Sequence, residues 1–106
     1  MNQNISGKII YFGKEVEIKI NVINSHKRKI DVEVVPLNML SIVINDIKEK
    51  VEKNGCEVKS FSENILLCNF KNSTVSIFNT GEIVIEELEV KSLKDVIEII
   101  NKIFQE

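Results

Sequence analysis

Residues 73–85 read STVSIFNTGEIVI, and this stretch decides the fold of the chain. Apolar and polar side chains alternate over 73–78, which predicts a strand with Val75 and Ile77 on one face. A second strand is predicted over 82–90, and Gly81 suits the left-handed position of a three-residue hairpin loop. The pattern therefore predicts an antiparallel hairpin with one buried face. The side chains predicted on the other face are Thr74, Ser76 and Phe78.

The N-terminal part continues the same alternation. Strands are predicted over 9–12, 15–22 and 30–35, with Gly13 and Lys14 as a type II′ loop and the polar stretch 24–29 as a second turn. One side of each strand is apolar, so we expect one face of the sheet to be buried. The residues predicted on that buried face are Val16, Ile18, Ile20, Val32, Val34, Val75, Ile77, Ile83 and Ile85.

Two helices are predicted. The first follows Pro36, with Asn38 as its N-cap and Gly55 just past its end, and the second starts at Ser92, where Ser92 and Asp95 resemble a capping box. The apolar stripe of the first helix comprises Leu40, Val43, Ile44, Ile47 and Val51, and that of the second Leu93, Val96, Ile97, Ile100, Ile103 and Phe104. Two further strands are predicted between the helices, over 56–61 and 64–70.

The order of elements predicts an α+β fold. Strands with one apolar face and helices with one apolar stripe must cover each other, so we expect a curved antiparallel sheet with both helices packed on one face. The other face is then open. We expect a single domain over 1–106, in which 1–29 form an N-terminal hairpin extension and 30–106 form a β-α-β-β-β-β-α unit.

Composition limits the function classes. The net charge is −2, whereas dedicated nucleic-acid binders usually carry a basic excess, so nucleic acid is an unfavoured partner. Hydrophobic residues make up 43% of the chain, a fraction typical of globular domains, and they form no apolar run of membrane-spanning length. We expect a cytoplasmic protein without membrane contact.

Few side chains suggest chemistry. His26 lies in a predicted hairpin turn, and Cys56 and Cys68 lack the close spacing of metal ligands. We interpret the cysteines as buried reduced thiols, with a disulfide or a metal pair as alternatives. The acidic clusters fall on predicted solvated faces. We therefore expect no catalytic residues, no cofactor and no metal, and a protein that is not an enzyme.

The segment 77–84, Ile-Phe-Asn-Thr-Gly-Glu-Ile-Val, resembles the Ile-Phe-Ser-Ser-Gly-Lys-hydrophobic-Val turn of the TATA-box-binding protein family. Phe61 precedes Phe78 by the separation that the family keeps between two phenylalanines that wedge between base pairs. Ile65 and Thr74 also match the family's residue types. The resemblance covers about residues 30–105 and implies one repeat of that fold.

Departures from the family pattern concern its DNA chemistry. This chain has one repeat where the family has two, Glu82 replaces a lysine, and Glu86, Glu87 and Glu89 follow. Minor-groove binding relies on a basic face, so the resemblance implies the fold without the DNA binding.

The leading hypothesis is a non-catalytic binding or assembly module that associates with a protein partner or forms a homodimer. We expect edge-to-edge or N-terminal-hairpin pairing in such a dimer. A nucleic-acid-binding domain is the first alternative, and a small enzyme or enzyme accessory subunit is the second. The candidate partner-facing residues are Phe61, Thr74, Ser76 and Phe78, although Phe61 and Phe78 would also fit a buried core.

Overall fold

A computed structural model describes residues 3–106, which form one open antiparallel sheet with two helices. The strands are β1 (Asn4–Tyr11), β2 (Lys14–His26), β3 (Lys29–Pro36), β4 (Cys56–Phe61), β5 (Ile65–Phe70), β6 (Ser73–Phe78) and β7 (Ile83–Leu88), and the helices are α1 (Ile44–Lys53) and α2 (Lys94–Ile103). The strand order is β1-β2-β3-β7-β6-β5-β4, and every neighbouring pair is antiparallel. The α+β class and the place of the N-terminal hairpin are as predicted.

The buried face of the sheet is the one that alternation predicts. All nine side chains predicted there are buried, from Val16 at 7% exposure to Val32 and Val75 at 0%. They form one core with the helix residues Ile44, Ile47, Val51, Val96, Ile100 and Ile103. Both helices therefore cover the same face, because only that face offers apolar side chains along every strand.

The first hairpin turns one residue earlier than predicted. Tyr11 pairs with Lys14, so the loop is Phe12-Gly13. Both loop residues have positive φ, 46° at Phe12 and 84° at Gly13, which is the type I′ pattern and not type II′. The second turn is also shorter than predicted, because β2 extends to His26 and pairs there with Lys29.

The sequence prediction places the start of α1 too early. The helix begins at Ile44, not after Asn38, and Val43 is 59% exposed instead of lying on the buried stripe. The preceding segment is held outside the helix by the β6–β7 loop, since the Leu40 and Ile42 N–H groups donate to the carbonyls of Thr80 and Asn79 at 2.8 and 2.9 Å. These tertiary bonds satisfy the backbone and outweigh helical propensity.

The capping box before α2 is half formed. The Asp95 carboxylate accepts from the Lys91 and Ser92 N–H groups at 3.1 and 3.2 Å. The Ser92 hydroxyl makes no reciprocal cap bond, because the helix N-cap is Leu93. Asp95 still satisfies two backbone donors at the helix start, which is the role of a cap.

The C-terminal end of α2 is tied to two other elements. The Asn54 side-chain amide donates to the carbonyls of Ile103 and Gln105 at 2.8 and 2.7 Å. Phe104 packs edge-on against Tyr11 and Phe12, with ring centroids 5.0 and 5.4 Å apart. Burial in this cluster raises the pKa of the Tyr11 phenol, and the nearby Asp46 carboxylate raises it further.

Candidate interaction surface

The sheet face opposite the helices carries an apolar area that we call the open-face patch. Register places Ile65 directly opposite Phe78, and Leu67 and Val84 on either side of Ser76. These side chains alternate along their strands with the buried Leu66, Ile77 and Ile83. Since successive side chains of a strand point to opposite faces, they point away from the helices. The members of the open-face patch are Val35, Leu37, Ile65, Leu67, Phe78 and Val84.

Exposure within the open-face patch is graded. Leu37 is 59% exposed and continues β3, because its N–H donates to the Glu17 carbonyl at 3.0 Å. The other five members are half-buried by their neighbours across the strands. Ile65, Leu67, Phe78 and Val84 therefore form a partly shielded apolar surface across β5, β6 and β7 with Ser76 near its centre. On β3, Val35 and Leu37 adjoin Glu33, which is the cross-strand partner of Val84.

Three of the four candidate residues belong to this face. Thr74 and Phe78 are half-buried on it, and Ser76 is 9% exposed, so Ser76 contributes little surface of its own. The interpretation of Phe78 as a core residue does not fit its position, because its neighbour Ile77 takes the core side at 0% exposure.

Phe61 lies on the other side of the sheet. It pairs with Leu66, which is fully buried, and the Lys48 ammonium of α1 sits 4.8 Å from its ring centroid. Cross-strand partners share a face, so Phe61 is on the helix side, at the margin of the core and 48% exposed. Phe61 and Phe78 thus lie on opposite faces of the sheet.

Charged side chains border the open-face patch and extend over β1 and β2. β1 and β2 carry Glu15, Glu17 and Lys19, and Lys8 pairs with Glu15 at 3.3 Å. Nearer the patch stand Glu33, which accepts from the Asn21 amide at 3.2 Å, and the exposed Glu82 and Glu86. The face is predominantly acidic around an apolar area, an arrangement that repels phosphate backbones.

The β1 edge of the sheet is covered by α2. The Ile10 N–H donates to the Asn101 side chain at 2.7 Å, and the Phe12 N–H donates to the Phe104 carbonyl at 2.9 Å. The Ile10 donor points outward from the edge, where another strand would otherwise pair, and the Phe12 donor lies in the adjoining loop. N-terminal-hairpin pairing between copies would have to displace the helix, so the geometry that we expected for a dimer is disfavoured here.

The β4 edge is protected by other means. Lys59 is an extra residue in β4, since Val58 faces Cys68 and Ser60 faces Leu67. A bulge with a lysine on an edge strand is a common barrier to edge-to-edge pairing. Lys59 also forms a salt bridge with Glu57, and this hydrogen bond lowers the pKa of the Glu57 carboxyl.

The residues considered for chemistry are far apart. His26 is exposed at the tip of the β2–β3 hairpin, and Cys68 is buried in β5, with β3, β7 and β6 between their strands. At about 4.8 Å per strand this places them roughly 19 Å apart, too far for a nucleophile and its base. Within residues 3–106 no group of three or more His, Cys, Asp and Glu side chains could hold a metal ion.

Sequence reasoning missed most of the patch. Val35, Leu37, Leu67 and Val84 were not candidates, although each has the parity opposite to a buried neighbour. The alternation of side chains along each strand could by itself have placed these four residues on an open face. Their grouping depends on the strand order, which puts β7 between β3 and β6.

Comparison of the chain with protein-family models, with curated proteins and with solved structures gives no match in any of the three. Neither helix within residues 3–106 has the length and apolar character needed to cross a membrane.

Proposed function

We propose that this chain is a non-catalytic assembly module and that its open-face patch binds a second copy of the chain. The observation that carries the proposal is the grouping of apolar side chains around Ser76 on the open face. The apolar side chains lie on β3, β7, β6 and β5, whereas Lys8, Glu15, Glu17 and Lys19 lie on β1 and β2.

A two-fold axis near Ser76 would pack the apolar half on its copy. Such an interface is self-complementary, so one patch is sufficient for a closed dimer. Glu17 and Lys19 would border it beside Leu37 and Val35, whereas Lys8 on the edge strand β1 would remain outside. Phe78 would be the anchor, since aromatic residues near the centre of an interface contribute most of its energy.

The remaining surfaces support this choice. One sheet edge is covered by α2 and the other carries a lysine bulge, so neither is prepared for strand pairing. The patch has six members, whereas a typical stable interface takes roughly 20–30 residues from each partner. We therefore expect a weak, reversible dimer.

Sedimentation equilibrium from low micromolar to near-millimolar protein tests the proposal. The wild-type chain should approach a dimer at the upper end. Phe78→Ser should weaken association at least about tenfold, the effect of losing an anchor worth about 1.4 kcal/mol. Leu67→Lys on the neighbouring strand should do the same, and circular dichroism would show that both variants remain folded.

Phe61→Ser is the matched control. It makes the same substitution on the other side of the sheet, at a residue that is also partly exposed, and should leave association unchanged. A wild-type chain that stays monomeric at every concentration would reject self-association. If Phe61→Ser weakened self-association and Phe78→Ser did not, the interface would lie elsewhere.

A further inference from the structure

Asn54, the residue that follows α1, holds the C-terminal end of α2 through its side chain. The amide nitrogen donates to the carbonyls of Ile103 and Gln105 at 2.8 and 2.7 Å, which uses both of its hydrogens. The Phe12 N–H binds the carbonyl between them, that of Phe104, at 2.9 Å. Carbonyls at the end of a helix lack partners within the helix, so these bonds from outside satisfy them. We call the two bonds from Asn54 the Asn54 tie.

The residue after Asn54 is a glycine, and an asparagine followed by glycine is prone to a spontaneous reaction. Glycine has no side chain to hinder the approach of its nitrogen to the asparagine side chain. The Gly55 nitrogen loses its proton and attacks the Asn54 Cγ, a C–N bond forms, and ammonia leaves with that proton. Water then opens the resulting cyclic imide at either carbonyl and leaves aspartate or isoaspartate. Overall, one water is consumed and one ammonia is released.

The folded chain restrains both reacting groups. The Gly55 N–H donates to the Glu52 carbonyl at 3.1 Å, so the nitrogen is bonded through the proton that it must lose. The Asn54 amide is held by the end of α2. Water can reach the position, because Asn54 lines an open cleft of 380 Å³ together with Lys50 and Lys53. The restraint on the reaction is therefore the Asn54 tie and not the supply of water.

We propose that Asn54 is a deamidation site that reacts only in molecules in which the end of α2 has come loose, and that the reaction then prevents the tie from forming again. The new carboxylate has no hydrogen to donate, and the carbonyls that faced the amide can only accept. The cleft lysines Lys50 and Lys53 offer the carboxylate other partners. Deamidation thus turns a reversible opening of α2 into a lasting one.

Peptide mapping of the full chain by mass spectrometry, after incubation in mildly alkaline buffer, tests the control by the tie. Asn54 should deamidate at least about tenfold more slowly in the folded chain than in urea, because only the open fraction reacts, and tenfold corresponds to an opening free energy of about 1.4 kcal/mol. Phe104→Leu, which loosens the packing of the end of α2 on Tyr11 and Phe12, should speed the folded reaction several-fold.

Ile85→Val is the matched control for Phe104→Leu. It also trims a buried side chain, but in the central strand β7, and should leave the rate at Asn54 unchanged. Circular dichroism would show that both variants remain folded. The proposal is rejected if Asn54 stays intact in urea, if it reacts equally fast in the folded chain, or if Ile85→Val accelerates the reaction as much as Phe104→Leu.

The variant Asn54→Asp supplies the aspartate product directly and tests the lasting loosening. Hydrogen exchange at the Phe12, Phe104 and Gln105 amides should become several-fold faster than in wild type, while amides of β5 and β6 keep their rates. Asn72→Asp makes the same change in an exposed turn and should leave the end of α2 protected. Unchanged exchange at the end of α2 in Asn54→Asp would contradict the proposal, and so would equal effects of the two variants.

Discussion

Gly81 closes the β6–β7 hairpin in a backbone conformation that other residues rarely adopt. Its φ is +96°, and its N–H donates to the Phe78 carbonyl at 2.9 Å. A Cβ atom there would lie 2.9 Å from Leu40 Cγ, so the loop and the segment before α1 pack too closely for a side chain. The glycine thus fixes both the turn and the docking of the 37–43 segment.

Gly81→Ala should destabilise the chain by roughly 2–3 kcal/mol, through the positive φ and the overlap with Leu40. Gly7→Ala is the matched control. Its added Cβ would meet only the end of the Ile97 side chain, at 2.8 Å, and that side chain can rotate. We expect Gly7→Ala to stay within about 1 kcal/mol of wild type. If urea denaturation showed the same loss of unfolding free energy for Gly81→Ala and Gly7→Ala, this account of Gly81 would be contradicted.

Residue-level patterns predict the two faces of the sheet but not the contacts between distant elements. Parity identified the buried Ile20, Val34 and Ile85 because alternation is a local property of a strand. The bonds from Asn54 to the end of α2 join residues about half the chain apart. No local pattern identifies such a partner, so this tie could not be predicted.

The edge strand β4 is kept from pairing by its own side chains. Glu57 and Lys59 are exposed and bridged to each other, and the bulge at Lys59 interrupts the ladder. The other edge needs no such device because α2 covers it. This difference accounts for the charges on a strand that otherwise reads as Cys-x-Val-x-Ser-Phe.

The double variant Glu57→Val, Lys59→Val should make the edge strand β4 prone to pairing with strands of other molecules. It keeps the net charge but removes the barrier to edge pairing, so aggregation should begin at several-fold lower protein concentration. Static light scattering provides the measurement. Glu49→Val with Lys53→Val adds the same side chains on the exposed face of α1 and should have a much smaller effect. Equal aggregation by the two double variants would mean that surface hydrophobicity, and not the strand edge, is responsible.

Prediction at the level of elements fails where tertiary bonds replace local ones. Residues 38–43 carry helical apolar spacing, yet the N–H groups of Leu40 and Ile42 bond to the β6–β7 loop, which is remote in sequence. α2 follows its prediction closely, because its start is set by Asp95 and its stripe by the core. The cap of α2 could be recognised from neighbouring residues in the sequence. The hydrogen bonds by which a distant loop prevents helix formation before α1 could not.

The whole molecule presents three kinds of surface. Helices cover one face of the sheet. The other face carries the open-face patch, bordered by Glu33, Glu82 and Glu86, and the charged side chains of β1 and β2. The sequence predicts that Phe78 lies on the open face. It could not predict the patch, because the strand order decides which residues neighbour Phe78. It also grouped Phe78 with Phe61 as partner-facing residues, whereas the sheet places Phe61 on the opposite side.

The most direct test of the open-face patch is a concentration series of ¹H–¹⁵N correlation spectra. Self-association through the patch predicts progressive shifts at backbone amides of β5, β6 and β7 and at the end of β3 around Val35 and Leu37. Amides of α1, α2 and β1 should stay in place, and Phe78→Ser should abolish the changes. Shifts centred on the β1 edge or the helices, or spectra that do not change up to near-millimolar concentration, would contradict the assignment of this face.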